Sequence, residues 1–595
     1  MSILSLPTEL LELIFSFCPN ATLVKLAQTS KDLNTMALQS FFRRSDDFLE
    51  HITNGLLHSW STPRETSDAV RVAFFLKNLS TVTWSFNPGW ECTICSPNAL
   101  GLCPGCRGDP GLRMGPLKRT FDEIANLRAI FSRLPSARSV KFDFHNVQQY
   151  PTSGGWVGIR RHTVSRDLWR TALVGLLDEA LENGCRTLEV ENGDGMERMY
   201  TLWSGLWTTP YTPPNGKSFM LSTLKVHSDM LLQPPFVDWT TSLLTSSACA
   251  ATLTNLSIQT LKINLPPLLL GLLNLPNLTE LEIKSRARQL PLDRASNGIA
   301  RFGDIASLLG RHSRQLKKVH LYGVGLPGLR VDDTTVLFDS NRDILPNLES
   351  FIAHPSIVMW LLNLPISCPK SIWRTNTSLE NLQLIGISSE YNELHSPFVY
   401  VQFDMALSVV VGFCGWRNGE NRTSLRRGNG KLSWRLKGRL QEKPLEVMLR
   451  FVSENDVHAW FASHLVSLPA NEQPGASILT QLTHISTLTI SSAYSTQFSD
   501  EAIEMLPDWL ALISNSGASS ISSPSERRAA GARLQRVTFI DHPSSGFFGA
   551  SDYDQDQFVK EVAEKCVGLK WLQMDWNANK AIDLDAVRAI EGAIV

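Results

Sequence analysis

The chain lacks an excess of charge of either sign: 56 basic residues stand against 57 acidic ones in 595, a net of -1. That balance excludes a global pull toward nucleic acid or a membrane surface. It also lacks a long apolar run, since the longest, near 265–275, falls well short of the roughly 20 residues that span a bilayer. The apolar N-terminus has no basic stretch and carries Glu9 and Glu12, so a secretory signal is not expected. Ten cysteines, most of them scattered, suit a reducing compartment. The sequons at Asn255 and Asn277 fall on expected strands and read as chance. There is no Gly-x-Ser-x-Gly elbow, phosphate-binding glycine loop or His-Glu-x-x-His pair, and no cysteine in a recognisable catalytic setting. His162, His227, His320, His354 and His484 stand singly. A soluble cytoplasmic or nuclear chain without a catalytic centre, and without a required cofactor, is the expectation.

What is present is repetition. An apolar residue, two others, an apolar residue, one other, and a third apolar residue recur along the chain. Leu79-x-x-Val82-x-Trp84, Leu221-x-x-Leu224-x-Val226, Leu253-x-x-Leu256-x-Ile258 and Leu278-x-x-Leu281-x-Ile283 are early copies. Leu316-x-x-Val319-x-Leu321, Leu379-x-x-Leu382-x-Leu384, Ile485-x-x-Leu488-x-Ile490, Leu534-x-x-Val537-x-Phe539 and Leu569-x-x-Leu572-x-Met574 follow. Looser copies sit at Val140-x-Phe142, Leu188-x-Val190 and Leu348-x-x-Phe351. The alternation of the last two apolar positions predicts a half-buried strand, with the leading residue in the turn before it. Helical patterns precede many copies, at 69–76, 121–134, 168–181, 299–309 and 557–567. Helix, turn and strand in series predict a leucine-rich-repeat-like solenoid, irregular because its leads are unevenly spaced. Asn255, Asn277, Asn347 and Asn381 lie near the turns without keeping one ladder position. The alternative, an α/β domain with a crossover sheet, would be expected to place glycine loops between strand and helix.

Four insertions interrupt this series. Residues 87–115 hold Cys92, Cys95, Cys103 and Cys106, two Cys-x-x-Cys knuckles whose thiolates could turn toward one structural zinc. Reduced thiols on a loop are the bland alternative, and a redox pair is disfavoured because Pro104 and Gly105 do not open a helix. Residues 200–217 carry Trp203, Trp207 and Tyr211, either anchors for a partner or a flap over the repeats. The stretch 398–451 is expected to form a hairpin, strands at 398–414 and 431–440 joined by the loop 415–430, then a strand at 445–451 and a helix at 455–468. Arg417, Arg422, Arg426, Arg427, Lys431, Arg435, Lys437 and Arg439 make that hairpin basic, and a solvated tip explains it better than a phosphorylated ligand does. Nucleic acid is disfavoured, because stacking aromatics there are limited to Trp416 and Trp434. Residues 514–532, rich in serine, read as a flexible connection.

The N-terminal stretch is different in kind. Leu6-Pro7-Thr8-Glu9-Leu10 predicts a helix start, and Leu10, Leu13, Ile14 and Phe17 repeat at the spacing of one helical face. Leu23, Leu26 and Ala27 form a second stripe; a third helix is expected from a Ser30 cap, with Leu33, Met36 and Ala37 on its inner face. Three helices this short make a marginal core and need something further to cover them. Leu-Pro-x-Glu-Leu, Ile14-Phe15, Leu23-x-x-Leu26-Ala27 and Ser30-Lys31-x-Leu33 together resemble the F-box, over about residues 3–45.

The resemblance implies an all-α F-box at 1–50, followed by the α/β repeat region at 51–595, as in irregular fungal proteins of this type. It implies docking on a Skp-family adaptor of a cullin–RING ubiquitin ligase through Leu6, Pro7, Leu10, Ile14, Leu23, Leu26 and Leu33, a pattern shared between docking and internal packing. It further implies a non-enzymatic receptor that holds a protein target. A repeat scaffold with F-box-like helices as a mere cap, and a zinc-stabilised nucleic-acid binder, are the rival readings.

Overall fold

A computed structural model describes residues 6–44, 50, 52, 54–58, 64–76, 79–86, 117–134, 136–145, 166–193, 220–260, 273–285, 302–323, 345–362, 379, 381–388, 398–417, 445–451, 460, 485–492, 500–515, 534–540, 555–573 and 581–592. They belong to two compact units, Met1–Leu278 with Asn297–Ala300, and Thr279–Ser296 with Arg301–Val595.

The first unit opens with three helices, α1 (Thr8–Phe17), α2 (Asn20–Ala27) and α3 (Lys31–Arg43). Strands β1 (Leu56–His58), β2 (Thr81–Ser85), β3 (Ser139–Asp143), β4 (Thr187–Glu191), β5 (Thr223–His227) and β6 (Asn255–Thr260) follow, each parallel to the next in chain order. Between them lie α4 (Arg64–Val72), α5 (Leu117–Phe131), α6 (Arg166–Glu182), α7 (Val237–Thr245) and α8 (Ser247–Thr252). Parallel neighbours need a crossover, and these helices supply it for every pair but β4 and β5, whose connection lies largely outside the described residues. The alternating positions read from the sequence set the register: Val82 pairs with Val140, Val140 with Leu188, Leu188 with Leu224 and Leu224 with Leu256. All five are buried, so one face of the sheet meets the helices and forms the core. Rings extend that core, with Phe86 stacked on Phe144 at 4.5 Å and Trp169 edge-on to Phe121 at 5.2 Å.

The second unit repeats the scheme. Strands β7 (Glu280–Ser285), β8 (Lys318–Tyr322), β9 (Ser350–Ala353), β10 (Leu384–Ser388), β11 (Leu445–Phe451), β12 (Ile485–Ser492), β13 (Arg536–Ile540) and β14 (Trp571–Gln573) are parallel in order, and β15 (Ile582–Asp583) closes antiparallel on β14. The helices are α9 (Phe302–Arg311), α10 (Pro355–Leu362), α11 (Phe398–Arg417), α12 (Asp500–Asn515), α13 (Gln555–Lys565) and α14 (Leu584–Gly592).

A backbone device recurs at the start of the strands. In the first unit Arg186 and Thr187 both donate their N–H groups to Arg138 O, and Ser222 and Thr223 donate theirs to Arg186 O. In the second, Glu349 and Ser350 donate to Lys317 O, and Gln383 and Leu384 donate to Glu349 O. Arg186, Lys317 and Glu349 thus each accept from the next strand and donate to the one before, which pairs the backbone groups where those strands begin.

Two expectations are corrected. Residues 398–414 are not a strand of a hairpin: they lie in the 20-residue α11, the crossover between β10 and β11, which are directly paired in parallel. Phe403 of α11 stacks on Phe451 at 5.3 Å and meets Trp460 at 5.7 Å, while Asp404 accepts the Trp460 indole N–H at 2.9 Å. A long apolar run reads equally as strand or helix until its length and packing decide. Gly415, Trp416 and Arg417 accordingly belong to the helix rather than to a loop at 415–430, and Ser514 and Asn515 close α12 instead of opening the insertion at 514–532.

The second correction is a matter of register. Leu382 leads the β10 unit, with Ile385 and Ile387 on the core face, paired to Phe351 and Ala353. Leu384 points the other way, because a shift of one residue exchanges the two faces of a strand. With Leu382 as lead, Asn381 takes the place that Asn277 and Asn347 hold before Leu278 and Leu348. In two of these the amide reaches back to the preceding unit, Asn277 Nδ2 to Ala251 O and Asn347 Nδ2 to Arg314 O, both at 2.6 Å. Asparagine thus directly precedes the leads Leu278, Leu348 and Leu382, whereas Thr252 and Gln315 precede Leu253 and Leu316, so the position is shared by several units without being kept by all.

Candidate functional site

Helix α1 starts directly after Pro7, whose carbonyl accepts the N–H groups of Leu10 and Leu11 at 3.1 Å. It carries two apolar faces. Leu11 and Phe15 are buried against the chain, whereas Leu10, Leu13, Ile14 and Phe17 are 47, 55, 40 and 81% exposed. The i, i+3, i+4, i+7 stripe is therefore the outer one. Four large apolar side chains in a row on one short helix form a patch that water solvates poorly.

The other two helices support this face from below. Ser30 Oγ caps α3 by accepting Leu33 N–H at 3.1 Å, as the sequence predicts. Leu23, Val24 and Ala27 of α2, and Leu33, Ala37 and Leu38 of α3, are buried. The structure thus divides the apolar pattern. Pro7, Leu10 and Ile14 lie on the surface, Leu6 and Leu26 are half-buried, and Leu23 and Leu33 are internal packing. Leu13 and Phe17 join the surface group; their signal in the sequence is that a ten-residue helix bears a second apolar pair, Leu11 and Phe15, off the main stripe.

A buried amide joins the helices to the first strand–helix unit. Asn34, 1% exposed, donates to Ala27 O at 2.9 Å and Val72 O at 2.7 Å, and accepts the Phe74 N–H at 3.2 Å. The rings of Phe42 and Phe75 meet edge-on at 6.3 Å beside it.

The outward face of β2 to β6 offers a second, polar arrangement. Lys141 Nζ lies 2.8 Å from Glu189 Oε1 and 2.7 Å from Glu191 Oε2, and Lys225 Nζ lies 2.8 Å from Glu189 Oε2. His227 Nε2 is 2.8 Å from Ser257 Oγ, and its Nδ1 is 3.9 Å from Glu191 Oε1. His227 first, and Lys141 after it, hold the Glu191 carboxyl well below the usual carboxylate range against the opposing effect of burial. Burial pulls the Lys141 ammonium down, but its hydrogen bonds to both glutamates prevail and raise it. Glu189, Glu191 and His227 are the one group among the described residues with metal-ligand spacing. Its carboxylates are already neutralised by ammonium groups, so the cluster reads as a lattice of cross-strand ion pairs.

Other candidates fall differently. Cys92, Cys95, Cys103 and Cys106, the basic residues Arg422, Arg426, Arg427, Lys431, Arg435, Lys437 and Arg439, the aromatic insertion 200–217, His162 and His484 lie outside the described residues. The buried thiols Cys185, Cys249 and Cys566 are pushed up to about 12 by desolvation, which leaves them as inert core groups. No helix among the described residues is long and apolar enough to cross a membrane.

Against this geometry the comparison with known families is specific: residues 3–47, the three helices and their flanks, match the F-box-like family model. The N-terminal segment is an F-box-like domain, and domains of this kind in general serve adaptors that bind Skp-type proteins rather than enzymes. No curated protein matches the chain.

Proposed function

We propose that this protein is the substrate receptor of a cullin–RING ubiquitin ligase, working in the cytoplasm or nucleus. The outer face of α1 docks on a Skp-family adaptor, and the strand–helix array, read as a leucine-rich-repeat-like solenoid, holds a protein target. The parallel strands taken in order, the recurring carbonyl junction and the asparagine ahead of the lead residue support that reading of the array. The receptor does no chemistry of its own. It raises the effective concentration of target lysines around a thioester carried by another subunit.

The observation that carries the proposal is the exposure of Leu10, Leu13, Ile14 and Phe17 within a segment that matches the F-box-like family. Leu10→Asp combined with Ile14→Asp should abolish co-purification with a Skp-family adaptor. Circular dichroism and thermal unfolding should change little, since exposed substitutions usually shift stability by only about 0.5 kcal/mol. Undiminished adaptor binding by the folded variant would reject the docking role and leave a scaffold whose helices merely cap the repeats.

A further inference from the structure

Helix α1 has little to hold it at the angle it adopts. At ten residues it is shorter than helices that persist alone in water, and Leu11 and Phe15 are its buried residues. Its N-cap, Pro7, makes no side-chain cap hydrogen bond, and its last turn carries no basic residue to meet the negative end of the helix. Just two residues, Cys18 and Pro19, separate it from α2.

The missing cation arrives from the far end of α3. Arg44, the residue that closes α3, donates through Nη2 to the carbonyls of Phe15 at 2.9 Å, Ser16 at 3.2 Å and Cys18 at 2.6 Å. Through Nη1 it donates to Asn20 Oδ1 at 2.6 Å. One guanidinium thus gathers the last carbonyls of α1, the turn after it and the first residue of α2, with a planar fork that no other side chain offers. Its neighbour Arg43 is a contrast: it meets Glu12 at 3.5 Å with both side chains more than half exposed, a pair of little consequence.

Building on the docking role proposed above, we infer that Arg44 is the positioning residue of the docking helix. It sets the angle of α1, so that Leu10, Leu13, Ile14 and Phe17 meet the adaptor as one preformed face. Without the fork α1 samples other angles, and only the aligned fraction of molecules can bind, which raises the apparent dissociation constant by the inverse of that fraction.

The test uses the full chain and a purified Skp-family adaptor. Arg44→Met should weaken binding about ten-fold, Arg44→Lys should recover part of the loss, and Arg43→Met should bind as the parent does. In the free chain, amide hydrogen exchange at residues 10–18 should quicken in Arg44→Met while that at residues 33–42 stays as it was. Saturating adaptor should return residues 10–18 to the parent rate. Parent-like affinity in Arg44→Met overturns the inference, and so does faster exchange spread equally over α1 and α3, which would make Arg44 a general folding residue. Failure of the parent chain itself to bind rejects the docking role and this inference together. Binding by the parent with an indifferent Arg44→Met rejects the inference alone.

Discussion

His354 shows how a single side chain writes a pH dependence into the fold. It precedes α10, where its Nδ1 lies 2.7 Å from Ser356 Oγ and accepts the Ser356 N–H at 3.4 Å. Burial lowers its pKa to about 4, from the ordinary value near 6.5. Between those values the unfolded chain holds a proton that the folded chain refuses, so stability is whole above about pH 6.5 and is lost as pH falls toward 4. The loss is on the order of 3 kcal/mol. His354→Asn retains a residue that caps helices well and removes the titration. Denaturant unfolding at pH 7 and pH 4.5 should therefore show a smaller drop for the variant than for the parent; parallel drops would assign the acid sensitivity elsewhere. None of this is visible in the sequence, where His354 is one of several single histidines, because burial is decided by packing that no local spacing records.

At the scale of elements, β9 and β10 show how register becomes packing. Ile352 of β9 is opposite Gly386 of β10 on the face away from Phe351 and Ile385, and its branched side chain, itself buried, lies over the glycine. A Cβ at Gly386 would sit 2.7 Å from Ile352 Cγ1, closer than carbon atoms tolerate. Gly386→Ala should thus cost about 1–3 kcal/mol through overpacking, and much less when made in the Ile352→Ala background, whose own loss is measured separately. An equal cost of Gly386→Ala in both backgrounds would show that the contact is not the cause. The strand itself was legible, but its lead was misplaced by three residues, since Leu379, Leu382, Leu384, Ile385 and Ile387 satisfy more than one phase of the same phrase. Pairing to Phe351 and Ala353 selects the phase. Helix α11 escaped for a related reason: its 20 residues are apolar on nearly every side, so no periodicity distinguishes helix from strand, and the stacking of Phe403 on Phe451 is a tertiary fact.

For the molecule as a whole, the joint at Asn34 matters most. Its carboxamide satisfies Val72 O and Phe74 N–H at the end of α4, and Phe42 packs on Phe75 beside it, so the helical domain is part of the first strand–helix unit's structure as well as the docking head proposed above. Deleting residues 1–47 should expose these backbone groups and make residues 64–86 more sensitive to limited proteolysis, with residues 445–492 cut no faster. An unchanged cleavage pattern at 64–86 would mean that the helices are an independent appendage.

By itself the sequence determined the series of strands and the helices whose stripe is clear, though not the kind of element at 398–417. The 3.6-residue stripes, the Ser30 cap and the two-residue alternation of the repeats are local properties, dictated by which side chains recur at which spacing, and local spacing is what a chain carries before it folds. Tertiary structure decided the rest. It chose which of two apolar faces on α1 is turned outward, moved Leu23 and Leu33 from the candidate surface into the core, and brought Arg44 across from the end of α3 to the last turn of α1. Those outcomes depend on which surfaces meet. A helix that is apolar on two sides buries the side its neighbours reach, and no periodicity within ten residues can say which side that is.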